Sequence, residues 1–324
     1  MIERYLQIIV VLLCSLNGRV LANRTEALVI DHTCTDITKI PESAILQAKA
    51  ALHIAYGHTS HGSQLTTGMT GLAAFANSGG KNLSLQNNIF NWNDGGLDGE
   101  LDLHDYAMSG DVGYYPDWVN NTRAYLKNAN NADVNVIMWS WCGQVSVKYA
   151  YDTLFSEYII PMSQLEIDYP EVVFVYMTGH VDHLDDANNK AANQIIRDYC
   201  EANNKVLYDF ADIESHDPNG EYFPFPHDNC NYYASKNGEY AGNWALEWQD
   251  SHVLGVDWYQ CESSHSQPLN ANQKAYAAWW LFSRLGGWSG TECQSDTADF
   301  NCDGIVDFID FSLFCEKWLE ANES

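Results

Sequence analysis

The chain has 324 residues, 46% of them hydrophobic and 13% aromatic, which is enough for a sizeable core and excludes an unfolded chain. Lys and Arg total 16 against 43 Asp and Glu, a formal charge of −27 that repels nucleic acid and anionic membrane surfaces. Neither nucleic acid nor a membrane is therefore expected as a partner, and the acidity reads as solubility in a salty or extracellular setting.

Residues 1–22 carry Arg4, the apolar run Ile8-Ile-Val-Val-Leu-Leu13 and the small-residue ending Val20-Leu-Ala22, which predicts a signal peptide and a secreted or cell-surface protein. No later segment approaches the ~20 consecutive apolar residues of a spanning helix. Beyond Cys14 lie eight cysteines: Cys34, Cys142, Cys200, Cys230, Cys261, Cys293, Cys302 and Cys315. An even number in an exported chain favours disulfides, and local order suggests Cys230 with Cys261 and two of the last three with each other. A nucleophilic Cys142 is the alternative use of one of them.

Ala27-Leu-Val-Ile30 predicts a short entry strand or loop. Pro41 then opens a helix with Ile45, Ala48 and Leu52 at helical spacing. In the stretch Leu52-His-Ile-Ala-Tyr-Gly-His-Thr-Ser-His-Gly-Ser-Gln64, an apolar strand stops at a glycine and opens into hydroxyls and imidazoles, with a helix expected from Gly62 to Ala76. Side chains just past the carboxyl end of such a strand face ligand rather than core. Residues 77–117, rich in Asn, Gly and Asp, read as a long irregular insertion. Its aromatics Trp92, Tyr114 and Tyr115, with Trp118, either stack on sugar rings or pin the loop.

Alternation then resumes: a helix at 118–129, a strand at 134–139, a helix at 154–169, a strand at 172–177, a helix at 188–203 and a strand at 206–210. Largely apolar, β-branched strands separated by helix-length segments predict an α/β fold with a parallel sheet covered on both faces. Residues 211–264 form a second irregular region, and Gln267 to Gly287 a well-buried helix. The expected organisation is a signal peptide at 1–22, a main domain at 23–288, a linker at 289–297 and a small module at 298–324.

That module holds the most specific motif. Asp299-Phe-Asn-Cys-Asp-Gly-Ile-Val-Asp-Phe-Ile-Asp310 places Asp299, Asn301, Asp303, Asp307 and Asp310 at positions 1, 3, 5, 9 and 12 of a calcium loop, with Gly304 at the sharp turn and the Ile305 carbonyl at position 7. Structural Ca²⁺ is expected there, followed by a helix from Phe308 to Leu319. The loop resembles a dockerin repeat, in which Asp replaces the final Glu of an EF-hand. Dockerins usually carry two repeats and this chain has one, so a cell-surface attachment role stands beside a cohesin-like partner.

A serine hydroxyl needs a base within hydrogen-bond reach and donors aimed at the developing oxyanion. Ser60 is the candidate nucleophile, against a helix-capping role for it, and Ser63 is held in reserve. In Cys261-Glu-Ser-Ser-His265, His265 is the candidate base and Glu262 the acid that would orient it. This order of blocks resembles the SGNH (GDSL-like) hydrolase superfamily over about residues 50 to 288. Gly57-His-Thr-Ser60 looks like its nucleophile block, and Glu262-Ser-Ser-His265 is similar to its Asp-x-x-His block with Glu for Asp. The resemblance implies a flavodoxin-like three-layer sandwich with a mainly parallel sheet. It also implies an oxyanion hole built from the Ser60 N–H, a glycine (Gly143, or Gly110) and, in place of the family's Asn, His180.

His58, His61, Asp182 and Trp141 are candidates for contacting substrate. With the aromatic loops and the dockerin-like tail, the resemblance implies a secreted esterase that deacylates, and specifically deacetylates, a glycan or an acylated small molecule without a catalytic cofactor. Two rivals stand beside it. His58-x-x-His61 and His180-x-Asp-His183 have spacing that suits a transition metal such as Zn²⁺, whose bound water would be the nucleophile. The chain would otherwise be a non-catalytic glycan-binding protein using its Trp and Tyr loops.

Overall fold

The computed structural model describes residues 24–290 and, farther on, residues 298, 306, 308, 310–312, 314 and 315. The expected signal peptide, most of the linker, and Asp299, Asn301, Asp303, Ile305 and Asp307 of the calcium loop lie outside the described residues. Asp310 is described and buried, and Phe308, Asp310, Phe311, Ser312, Phe314 and Cys315 are helical.

Seven strands form one all-parallel sheet: β1 Leu28–Ile30, β2 His53–Gly57, β3 Trp92–Asn93, β4 Leu101–His104, β5 Val136–Trp139, β6 Val173–Met177 and β7 Val206–Tyr208. Their spatial order is β1-β7-β6-β5-β2-β4-β3. With β2 counted as the first strand, the middle five follow the doubly wound order 2-1-3-4-5, consistent with a flavodoxin-like layered fold. Every residue of β5 and β6 is buried, as a strand covered on both faces requires. The order reverses between β2 and β5, and the crevice beyond their carboxyl ends is where such sheets bind ligands.

Helices cover the sheet in two groups. In the first, α1 (Glu42–Ala51), α2 (Ser63–Asn77) and α9 (Pro268–Leu285) pack together. Gly68 lets α2 and α9 approach so closely that a Cβ there would collide with the carbonyl of Ala271. The second group holds α3 (Asp117–Leu126), α4 (Val145–Ala150), α5 (Ile160–Asp168) and α6 (Asp186–Ala202), with α4 against α6 and α3 against α5. One short helix, α7 (Phe210–Ile213), a two-stranded antiparallel pair, β8 (Asn231–Tyr233) with β9 (Tyr240–Asn243), and α8 (Trp244–Asp250) structure the region after β7.

Three expectations are corrected. The stretch 77–117 is not wholly irregular, because it contributes β3 and β4 to one edge of the sheet. The Leu-Asp-Leu-His of β4 is too short to stand out among Asn, Gly and Asp, yet Leu101, Asp102 and Leu103 are buried. The second irregular region likewise contains α7, β8, β9 and α8. The helix expected from Leu154 is present, with one π turn at Phe155–Ile159 leading directly into α5. Cys230 and Cys261 are free thiols, as are Cys34, Cys142, Cys200 and Cys315. Cys230 Sγ faces Ser266 Oγ at 3.2 Å, whereas Cys261 Sγ takes the amide of Asn272 at 3.4 Å.

Candidate active site

β2 ends at Gly57, and the turn that follows carries Ser60 to the switch point. Gly62 keeps that turn tight: a Cβ there would collide with Ser140 Oγ just past β5 and with His58. From 205 residues farther on, the loop before α9 brings His265 Nε2 to 2.9 Å from Ser60 Oγ. The hydroxyl therefore does not cap α2, whose N-cap is Gly62 without a side-chain bond. The hydroxyl of Ser63 is buried and donates to the Ser60 carbonyl at 2.7 Å, so it braces the turn instead of facing the crevice.

His265 has φ +64°, a left-handed backbone costly for a non-glycine residue, on the order of 1–3 kcal/mol. Its loop is held in that shape by α2. Gln64 Nε2 donates to the Ser264 carbonyl at 2.5 Å, and Thr67 Oγ1 donates to the Glu262 carbonyl at 2.8 Å. Gln64 Oε1 in turn accepts from Lys274, which is fully buried on α9 and also pairs with Glu214. Burial pushes the Lys274 ammonium below its ordinary value, and the Glu214 charge opposes that shift. Glu214 Oε2 accepts the Val181 N–H at 2.9 Å. One buried lysine thus braces both the His265 loop and the His180 loop.

The carboxylate of Glu262 is not brought to His265. Residue 262 is exposed, and among the described residues only its backbone carbonyl is engaged with the site. His265 is packed by ring contact instead, stacked on His61 at 4.5 Å, and His61 is stacked on His180 at 3.9 Å.

For the oxyanion, the Ser60 and Gly143 N–H groups make no hydrogen bond among the described residues and remain available. His180 departs from the expected role. Its Nδ1 lies 2.8 Å from the Val181 carbonyl, which can only accept, so a neutral ring carries its lone pair at Nε2 and cannot donate there. That Nε2 faces Gly143, where a Cβ would sit 3.8 Å away.

His61 bridges two groups. Its Nε2 donates to Asp228 Oδ2 at 3.1 Å, and Nδ1 lies 3.5 Å from Cys142 Sγ. Burial pushes the His61 imidazolium below its ordinary value, although Asp228 counteracts part of that. Asp228 also pairs with His227 at 2.8 Å. Burial alone would raise the Asp228 carboxyl, but hydrogen bonds from His227 and His61 outweigh it and hold the group well below the usual carboxylate range. The same hydrogen bond raises His227.

The other expected contacts lie elsewhere. His58 is buried, with Nδ1 on the Thr59 carbonyl at 2.9 Å and Nε2 on Asp105 at 2.7 Å, so it fastens the turn rather than touching substrate. Trp141 is buried, donates to the Met177 carbonyl at 3.0 Å and packs on Tyr158. Asp182 accepts the Leu184 N–H at 2.9 Å and lines a cavity of about 220 Å³ with Asp186 and Arg197. Trp118 is buried and pins its loop, while Tyr114 and Tyr115 are exposed.

The four-histidine metal set does not assemble. His58 is committed to Asp105, and His183 is stacked on Tyr233 at 3.7 Å. His61, His180 and Asp228 do bring ligand atoms within 4.8 Å of one another. The two rings are parallel to within 4°, however, so their in-plane lone pairs do not converge on a point ~2 Å from both nitrogens, and a metal would require one ring to turn. Asp228, Asp105, Gln64 and Lys274 were not legible as site residues, because nothing in their local sequence marks them. No family model, no curated protein and no solved structure matches this chain.

Proposed function

We propose that the chain is a serine ester hydrolase of the SGNH type, deacylating a glycan or another acylated hydroxyl compound. The observation that carries this is the 2.9 Å contact between Ser60 Oγ and His265 Nε2 at the crevice between β2 and β5. Ser60 Oγ attacks the ester carbonyl while its proton passes to His265 Nε2. The Ser60 and Gly143 N–H groups receive the oxyanion, and His265 returns the proton to the departing alcohol. Water, deprotonated by the same imidazole, then releases the acid from the acyl-serine. A Ser-His pair suffices where ring packing and a strained backbone fix the base. Acetyl is the acyl group proposed. A groove of about 730 Å³ lined by Tyr106, Tyr125, Asn121, Asn128 and Asn131 adjoins His58 through Asp105 and offers the amides and aromatic faces that sugars use.

Secretion, a structural Ca²⁺ held by Asp299 through Asp310, and attachment through that module to a cohesin-like or cell-surface partner complete the proposal. Fluorophosphonate labelling with peptide mapping tests the centre of it: the label should fall on Ser60 and disappear in Ser60→Ala together with hydrolysis of p-nitrophenyl acetate. A second reading, a metal-dependent hydrolase, is favoured by the proximity of His61, His180 and Asp228. Activity that survives Ser60→Ala, vanishes with EDTA and returns with zinc would replace the first reading with the second. Retention on a glycan column with no turnover of any ester would leave a binding protein.

A further inference from the structure

We propose that Cys142, His61 and Asp228 form a second nucleophilic centre in the same crevice, a thiol modification site for soft carbon electrophiles that carry an amide or hydroxyl donor. The three groups have the layout of nucleophile, base and orienting acid. Cys142 Sγ lies 3.5 Å from His61 Nδ1, and His61 Nε2 lies 3.1 Å from Asp228 Oδ2. A carboxylate can only accept, so Asp228 fixes the proton on Nε2 and leaves the Nδ1 lone pair facing the thiol. His227 holds the other oxygen of Asp228 at 2.8 Å and keeps that carboxylate ionised.

A separate observation says what the centre would take. His180 is 7% exposed, its Nδ1 is committed to the Val181 carbonyl, and its Nε2 lone pair has no hydrogen-bond partner among the described residues. That lone pair looks onto the segment Cys142–Gly143 and would accept an N–H or O–H from a bound electrophile. Cys142 is partly exposed, as are Cys261 and Cys315. Burial pushes the thiols of Cys34 and Cys200 up, and those of Cys230 and Cys261 up to about 12.

In the alkylation step the sulfur forms a bond to carbon as the bond from carbon to its leaving group breaks. The leaving group departs with its electron pair, the S–H proton moves to His61 Nδ1, and Asp228 balances the new imidazolium charge. No oxidant or metal is needed. Ser60 takes no part in this step.

The test is brief iodoacetamide treatment of the full-length protein, with the extent of alkylation at every cysteine read from its peptide. Cys142 should react about tenfold or more faster than Cys261, and Asp228→Asn should remove most of that advantage while leaving Cys315 unchanged. An unaltered protein supplies the second measurement: iodoacetamide, which carries an N–H, should be preferred over iodoacetonitrile, which carries none, more strongly at Cys142 than at Cys261. Equal reactivity at Cys142 and Cys261, or no change in Asp228→Asn, overturns the proposal. Loss of fluorophosphonate labelling with iodoacetamide labelling intact would count against the esterase alone.

Discussion

Two of the clusters of histidine and aspartate among the described residues are made of the same parts. One lies along the edge between β2 and β4, where buried Asp102 accepts from His53 at 2.7 Å, His104 at 3.0 Å and the Gly95 N–H at 2.8 Å. His104 Nδ1 is met by the Tyr125 hydroxyl at 2.7 Å. The other cluster lies past the carboxyl ends of β2, β5 and β6, and it is unfinished: the Ser60 and Gly143 N–H groups and His180 Nε2 have no partner among the described residues. Residue type and proximity therefore do not separate an edge brace from the candidate crevice. What separates them is unanswered hydrogen-bonding capacity held rigid at the mouth of the sheet.

The sharpest way to break this contrast is to remove the proposed nucleophile. Ser60→Ala should lower kcat for p-nitrophenyl acetate by roughly 10³-fold or more without moving the melting temperature, and His265→Gln should fall nearly as far. Residual turnover above a tenth of the unmodified rate, measured at saturating ester, would erase the distinction. The converse change, Asp102→Asn, should cost about 1–3 kcal/mol in urea unfolding, because an amide sets its own N–H₂ against donors, yet leave kcat nearly unchanged. A loss of activity greater than the loss of folded protein would show that the edge cluster also serves chemistry.

His227 sharpens the comparison through pH. Its folded pKa is raised by Asp228, so the stability it contributes is full below the unfolded value of about 6.5 and is lost as pH rises through the folded value. The gap in melting temperature between the unmodified protein and His227→Gln should therefore be widest near pH 5.5 and close above pH 8. A gap that widens with rising pH would reverse the assignment. The smallest effect is expected at Glu262→Gln, whose kcat and pH profile should match the parent within about twofold, since its carboxylate does not reach His265.

Much of the sheet was legible because its central strands are long apolar runs; Val136–Trp139 and Val173–Met177 fall inside the predicted stretches. β4 was not, since four residues with an Asp and a His carry too little alternation to rise above their surroundings. At the crevice, Ser60 and His265 could be picked out because a glycine-ended strand and a pre-helix loop are recognisable places for chemistry. Asp228 and Lys274 could not. One sits among prolines in a loop whose path is set by tertiary contacts, and the other is a lysine that follows Asn270, Asn272 and Gln273 in the polar first part of its helix, where sequence suggests a solvent-facing side chain rather than a wholly buried one.

That lysine sets a limit on how the crevice can be altered. Because Lys274 reaches Gln64 on one side and Glu214 on the other, the two rims share a single keystone, and a substitution intended to widen one will shift the opposite wall. Engineering of the proposed glycan preference should therefore work from the groove beside Tyr106 inward and leave the α9 face untouched.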